Sequence, residues 1–227
     1  MKIIKGDIHD EIKKLESNKY DLLYTNPPYG ITKCEWDKPL NWGILWSDIW
    51  RVMKPNGIVI LHSSMPFTYD LIKSQKLKPK YHYVWIKNRA TNMLSCKFQP
   101  LRKEEEILVY YKKAGIYNPQ MRGDKYYQKR NVKVGTEKNP YYGETGIKEG
   151  FNKNKGHIGK FPNNIIEMPI RLGGACTRTK QMIEYFIKTY SNENSEVLDI
   201  TCSDAITGKV CDELKRNYTG IDLNPII

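Results

Sequence analysis

Four short apolar runs constrain this chain more than any other feature: Tyr20–Thr25 (YDLLYT), Gly57–Leu61 (GIVIL), Glu196–Ile200 (EVLDI) and Tyr218–Leu223 (YTGIDL). In the first three, apolar residues stand side by side (Leu22-Leu23-Tyr24, Ile58–Leu61, Val197-Leu198), not only at every second position. That pattern suits strands covered on both faces, as in a parallel sheet sandwiched by helices. Helical spacing separates them. Thr179–Tyr190 places Met182, Ile183, Phe186 and Ile187 on one face, and Leu45–Met53, Thr207–Lys215 and a turn or two over Ile8–Leu15 read the same way. Lys2–Lys5 reads as a further strand, and Tyr81–Ile86 and Ile107–Tyr111 as neighbouring strands. Lys54-Pro55-Asn56-Gly57 predicts a stop between a helix and the GIVIL strand. The expected fold is α/β, with a mostly parallel sheet and helices on both faces.

Residues 115–164 differ in kind. They hold eight of the 16 glycines, five tyrosines, and ten Lys/Arg against four Asp/Glu, with almost no aliphatic periodicity. Such a segment supplies little core. The chain is therefore read as residues 1–114 and 165–227 of one domain, interrupted by a basic insertion over 115–164. Its formal charge of +12 favours a polyanionic partner. No apolar run reaches 18 residues and no signal-peptide pattern opens the chain, so a cytoplasmic protein with no membrane partner is expected. Five scattered cysteines form no CxxC pair and the four histidines lack ligand spacing, so neither a disulfide framework nor a metal is expected.

Asn26-Pro27-Pro28-Tyr29 follows directly on a buried strand, where open α/β sheets bind their ligands. Two prolines fix φ and remove two amide donors, leaving a stiff loop with carbonyls turned outward. An exocyclic amino group donates two hydrogens. The Asn26 side-chain oxygen and a loop carbonyl, in the region of Pro27, could accept them. The Tyr29 ring offers a stacking face for an extruded base. An ordinary strand-to-loop turn is the plainer alternative.

The tetrapeptide resembles the (Asp/Asn/Ser)-Pro-Pro-(Tyr/Phe) hallmark of the amino-group DNA methyltransferases. The likeness extends through KIIKGDIHD, YDLLYTNPPYGIT, KPNGIVILHSSMPF, YVWIKN, KFQPLRKEEEILVYYKK, FPNNIIEMP and EYFIKTYSNENSEVLD, spread over about 170 residues that leave out most of the insertion. Glu105 stands where a histidine is expected. The early catalytic loop and late EVLDI strand match the permuted β-class, which methylates adenine N6 or cytosine N4. The resemblance implies a Rossmann-like methyltransferase fold, S-adenosylmethionine as cofactor and a double-stranded DNA substrate, with adenine preferred because Tyr29 closes the tetrapeptide. It also implies cofactor contacts at Asp7, Arg178, Asp199, Thr201, Ser203, Thr207 and Asp222. In the insertion, Arg122, Lys125, Tyr126, Lys129, Arg130 and Lys133 suit phosphate contact and stacking. A homodimer, or a heterodimer with another methyltransferase subunit, is a further expectation.

The cofactor turn departs from the family form Asp-x-(Phe/Thr)-x-Gly-x-Gly-(Ser/Thr)-Thr-Gly. Ser203 and Ala205 replace two glycines, at positions where a positive φ and close backbone approach are expected. Asp204 adds a negative charge beside the expected place of the methionine carboxylate. Upstream, Cys176-Thr177-Arg178-Thr179 replaces the family's Thr-Gln-Lys-Pro, with Arg178 at the lysine. The rival reading is therefore a catalytically inactive homologue that binds DNA or a partner subunit.

Overall fold

The computed structural model describes residues 1–127, 156–171 and 178–226. Two compact units are present, residues 1–118 with 163–227 and residues 119–162. The first unit holds strands β1 (Lys2–Lys5), β2 (Tyr20–Thr25), β3 (Met53–Ser63), β4 (Tyr81–Thr91) and β5 (Arg102–Tyr111) in its N-terminal stretch. Helices α1 (Ile8–Glu11), α2 (Trp42–Val52) and α3 (Phe67–Lys73) lie between them. Strands β6 (Arg122–Tyr127) and β7 (His157–Lys160) belong to the second unit. Strand β8 (Ile165–Glu167), helix α4 (Lys180–Tyr190), strand β9 (Glu196–Asp199), helix α5 (Ile206–Glu213) and strand β10 (Asn217–Asp222) return to the first.

The sheet of the first unit runs β1-β10-β9-β2-β3-β5-β4-β8. Its first five strands are mutually parallel, β5 is antiparallel to both neighbours, and β8 pairs parallel with β4. The expected pairing of Tyr81–Ile86 with Ile107–Tyr111 is present. Alternate residues of each central strand feed two separate cores. Leu23, Val59, Leu61, Leu108 and Leu198 face one with α2, and Leu22, Ile58, Ile60, Ile107 and Val197 face the other with α4 and α5. This two-sided burial is why those strands read as continuous apolar runs.

Helix α2 stops at Val52, just ahead of Lys54-Pro55-Asn56-Gly57, but strand β3 starts at Met53 and runs through those residues, earlier than the expected Gly57. Met53 pairs with Tyr20, and the next registered pair is Ile58 with Leu22. The four residues therefore form a bulge in the strand, which lets a Pro-Asn-Gly sequence sit inside it. Helix α2 begins at Trp42, ahead of the expected Leu45, because the Asn41 side chain accepts from Ile44 N and caps it. Among its described residues the second unit forms a two-stranded antiparallel ribbon in which Tyr127 stacks on His157 at 5.6 Å. Among the described residues no helix is long and apolar enough to cross a membrane.

Candidate active site

Because β1, β10, β9, β2 and β3 run parallel, their carboxyl ends share one edge of the sheet. That edge carries Asp7, Asp222, Asp199–Ala205 and Asn26–Tyr29 on the segments leaving consecutive strands. The tetrapeptide and the turn after β9 are bonded directly to each other. Thr25 Oγ1 donates to Asp199 Oδ1 at 2.7 Å and shares a 2.7 Å hydrogen bond with Thr201 Oγ1, which donates to the Asn26 carbonyl at 3.1 Å. The Asn26 carbonyl thus has a donor, although the two prolines remove the local ones. The donor comes from the far end of the chain, where local sequence cannot reveal it.

Beyond the prolines, four contacts fix the loop. The Asp37 carboxylate accepts from Gly30 N at 2.8 Å, Ile31 N at 3.0 Å and both Thr32 N and Thr32 Oγ1 at 2.7 Å. Burial alone would raise the Asp37 pKa, but these donors outweigh it and hold the carboxyl below its ordinary range. Gly30 has φ +68°, and a Cβ there would lie 2.4 Å from Pro39 Cγ, so both conformation and space require glycine. One face of the Tyr29 ring stacks on Phe67 at 5.3 Å, and its hydroxyl donates to Asn26 Oδ1 at 2.8 Å. A cleft of about 330 Å³ opens beside Tyr29, lined among others by Pro39, Trp42 and Phe67. Trp36 is exposed, whereas Trp42 and Trp46 are buried in the core.

The turn after β9 keeps the shape that glycines would give. Ser203 has φ +48° and Ala205 φ +51°, both in the left-handed region. Each carries a strain of about 1 kcal/mol for an L-residue. The Ala205 methyl is buried within the protein at 2% exposure. Gly208 is different, because a Cβ there would meet the Tyr218 ring at 2.8 Å. Of the three glycine positions, the two that need only an unusual φ are substituted, and the one that needs space is retained.

Asp222 anchors this turn. Its Oδ2 accepts from Ser203 N at 2.9 Å and its Oδ1 from Asn224 N at 2.9 Å. The Asp204 charge is met by Arg171 at 2.5 Å. Asp199 is fully buried, and burial raises its pKa against the opposing pull of the Arg178 guanidinium and the Thr25 hydroxyl. Arg178 is itself buried, over the Tyr24 ring at 5.3 Å. Burial, aided by Arg178, pushes the His62 pKa well down, so the ring is neutral and pairs with Tyr24 Oη at 2.9 Å. Asp199 Oδ2 and Thr207 Oγ1 have no hydrogen bond of good geometry among the described residues. Asp7 caps α1 through His9 N and the His9 ring, which lower its pKa.

Arg122, Lys125 and Tyr126 lie on β6 of the second unit, all exposed, whereas Lys129, Arg130 and Lys133 lie outside the described residues. Sequence reasoning missed Thr25, Asp37, Phe67 and Lys87. Lys87 Nζ, buried, donates to Glu105 Oε1 at 3.1 Å, and Glu105 Oε2 accepts from Tyr29 Oη at 3.3 Å. An apolar strand with a lysine among Trp85 and Ile86 was the available signal.

The family model N6_N4_Mtase, described as DNA methylase, matches residues 20–227. The chain belongs to this family. The type II methyltransferase M.HpaI of Haemophilus parainfluenzae is 25% identical over 224 residues, covering 94% of this chain and 67% of that protein. The DNA adenine methyltransferase YhdJ of Escherichia coli K12 is 25% identical over 236 residues, covering 98% of this chain and 78% of its own. Among solved structures, the cytosine-N4-specific PvuII DNA methyltransferase matches with a TM-score of 0.68 at 11% identity, over 98% of this chain and 82% of that one. This DNA methylase is thus an S-adenosylmethionine-dependent amino-methyltransferase by family, acting on adenine N6 or cytosine N4. The site fits that cofactor: the left-handed turn is formed, its extra carboxylate is neutralised, and the Ala205 methyl is shielded.

Proposed function

We propose that this DNA methylase methylates the N6 amino group of an adenine turned out of duplex DNA. The observation that carries the reading is the bonded joint between the tetrapeptide and the cofactor turn, through Thr25, Asp199, Thr201 and the Asn26 carbonyl. A shift of either segment moves the other, so the group accepting the base and the group presenting the methyl are held in one frame. Asn26 Oδ1 and the Pro27 carbonyl would accept the two amino hydrogens and raise the electron density on nitrogen. Half-buried Tyr29 and the cleft that it lines would receive the base. Ser203, Ala205 and Asp222 would hold the cofactor, with Asp7 at the next strand end; Asp199 and Thr201 act from beneath by fixing the turn. S-adenosylmethionine, when bound, supplies an already activated methyl group, so the protein's task is orientation and exclusion of water.

Support for adenine is the closing tyrosine of the tetrapeptide together with the likeness to YhdJ. Arg122, Lys125 and Tyr126, with Lys129, Arg130 and Lys133, form the proposed phosphate-contacting set of a target-recognition segment over 115–164. The test is methyl transfer from labelled cofactor to mixed-sequence duplex DNA, followed by digestion to nucleosides. N6-methyladenine from the wild type and none from Asn26→Ala is the expected result. N4-methylcytosine would overturn the adenine assignment, and an Asn26→Ala protein with wild-type turnover would overturn the role of the loop.

A further inference from the structure

Lys87 is 2% exposed, and its ammonium donates to Glu105 at 3.1 Å and to Thr91 Oγ1 at 3.4 Å. A buried ion pair of this kind contributes little net stability, because desolvation of both charges offsets their attraction. Its placement suggests another use. Strand β5 runs antiparallel to β3, so its beginning lies at the same sheet edge as the tetrapeptide, and Glu106 pairs with Ser63 at the end of β3. Glu105 therefore faces the loop. Lys87 reaches it from β4, where Trp85 is the direct partner of Glu105.

The Tyr29 hydroxyl has one proton, with Asn26 Oδ1 at 2.8 Å and Glu105 Oε2 at 3.3 Å among its acceptors. It can donate well to only one at a time. At the present distances the proton belongs to Asn26, on the oxygen that the incoming amino group needs. The carboxylate is the stronger acceptor in kind, since charge-assisted hydrogen bonds are about twice as strong as neutral ones. Lys87 fixes the other oxygen of that carboxylate, donating to Oε1 at 3.1 Å.

We propose that Glu105, held by Lys87, is a positioning residue that accepts the Tyr29 hydroxyl hydrogen bond when the target amino group arrives, freeing Asn26 Oδ1 to accept from the base. Without Glu105 the hydroxyl loses this charged acceptor. It keeps competing for Asn26 Oδ1, and the amino group is held less well at the moment of transfer. No bond is made or broken in this step; one hydrogen bond changes acceptor. The inference rests on the reading of Asn26 given above.

The experiment is a double-mutant cycle on the full chain, reading kcat and KM for duplex DNA, with cofactor affinity and circular dichroism as checks of folding. Glu105→Ala is expected to lower kcat about tenfold, the weight of one charge-assisted hydrogen bond, with both KM and cofactor affinity unchanged within about twofold. Lys87→Met is expected to do the same, and Glu105→Gln, which keeps a neutral acceptor, to recover part of the loss. In a Tyr29→Phe background no competing hydroxyl remains, so Glu105→Ala is expected to have no further effect. A merely structural ion pair would give the same loss in both backgrounds, and that additive result would overturn the proposal. So would a folded Glu105→Ala or Glu105→Gln protein with wild-type kcat and no dependence on Tyr29. If Asn26→Ala retains activity, it is the reading of Asn26 that fails. If Asn26→Ala is inactive while the cycle is additive, only the role of Glu105 fails.

Discussion

Restoring glycine at Ser203 and Ala205 separates the two demands that a cofactor turn makes on its residues. Both sit at positive φ, so each substitution relieves about 1 kcal/mol of backbone strain. Glycine returns freedom to the unfolded chain, which costs about 0.4–1 kcal/mol. At Ala205 two further effects enter. Its methyl is buried, and losing it costs about 0.8 kcal/mol. Ala205 is also the N-cap of α5 without a side-chain bond, and glycine is the better cap by a few tenths to about 1 kcal/mol. These effects nearly cancel, so each variant should lie within about 1 kcal/mol of the wild type, about 2–4 °C in Tm for a chain of this size. Gly208→Ala is the contrast. A methyl driven against the Tyr218 ring at 2.8 Å costs about 1–3 kcal/mol by overpacking. Urea unfolding at constant slope reads the stabilities, and calorimetry reads cofactor affinity. Because the turn already has the left-handed shape and the Ala205 methyl is shielded, the Ser203→Gly/Ala205→Gly protein should bind S-adenosylmethionine within about threefold of wild type, a difference of less than about 0.7 kcal/mol. A gain of tenfold or more would refute this reasoning, since it would mean that the side chains themselves obstruct the site.

Two further outcomes follow from the loop. The Asp37 pKa is depressed, so its stabilising contribution is complete above the unfolded value of about 3.9 and is lost as pH falls through the lower folded value. Asp37→Asn should therefore reduce the urea midpoint at pH 7 by the equivalent of about 1–2 kcal/mol, with the gap to wild type closing below about pH 4; an equal gap at pH 7 and pH 3 would contradict the role of the carboxylate. Gly30→Ala must displace Pro39 and strain φ, so kcat should fall by about tenfold or more while the global unfolding midpoint moves by less than about 2 kcal/mol; unchanged kcat would show that the loop tolerates the shift.

Local sequence carried the strands because two-sided burial writes itself into consecutive residues. The run YDLLYT coincides with β2, and a Pro-Pro pair ends it where the ladder must end. Thr179 was legible as the start of α4 because its hydroxyl caps Met182 N. Strand β3 starts at Met53 where Gly57 was expected, since Pro-Asn-Gly reads as the gap between helix and strand and only the pairing of Met53 with Tyr20 shows a bulge inside the strand. The three-residue strand β8 has too little sequence to register a period, and α3 had no side-chain cap to announce it. In the site, the altered glycines were visible, but their retained positive φ was not. The bonds from Thr25 to Asp199 and from Lys87 to Glu105 join segments 174 and 18 residues apart, and only the folded sheet brings them together.

The central claim is that a turn built with Ser203 and Ala205 still serves a methyltransferase. Calorimetric titration of the wild-type chain with S-adenosylmethionine, with and without mixed-sequence duplex DNA, tests it most directly. The account predicts saturable binding with a dissociation constant in the micromolar range, about −8 kcal/mol. No detectable heat in either condition, from a protein whose unfolding is cooperative, would contradict it.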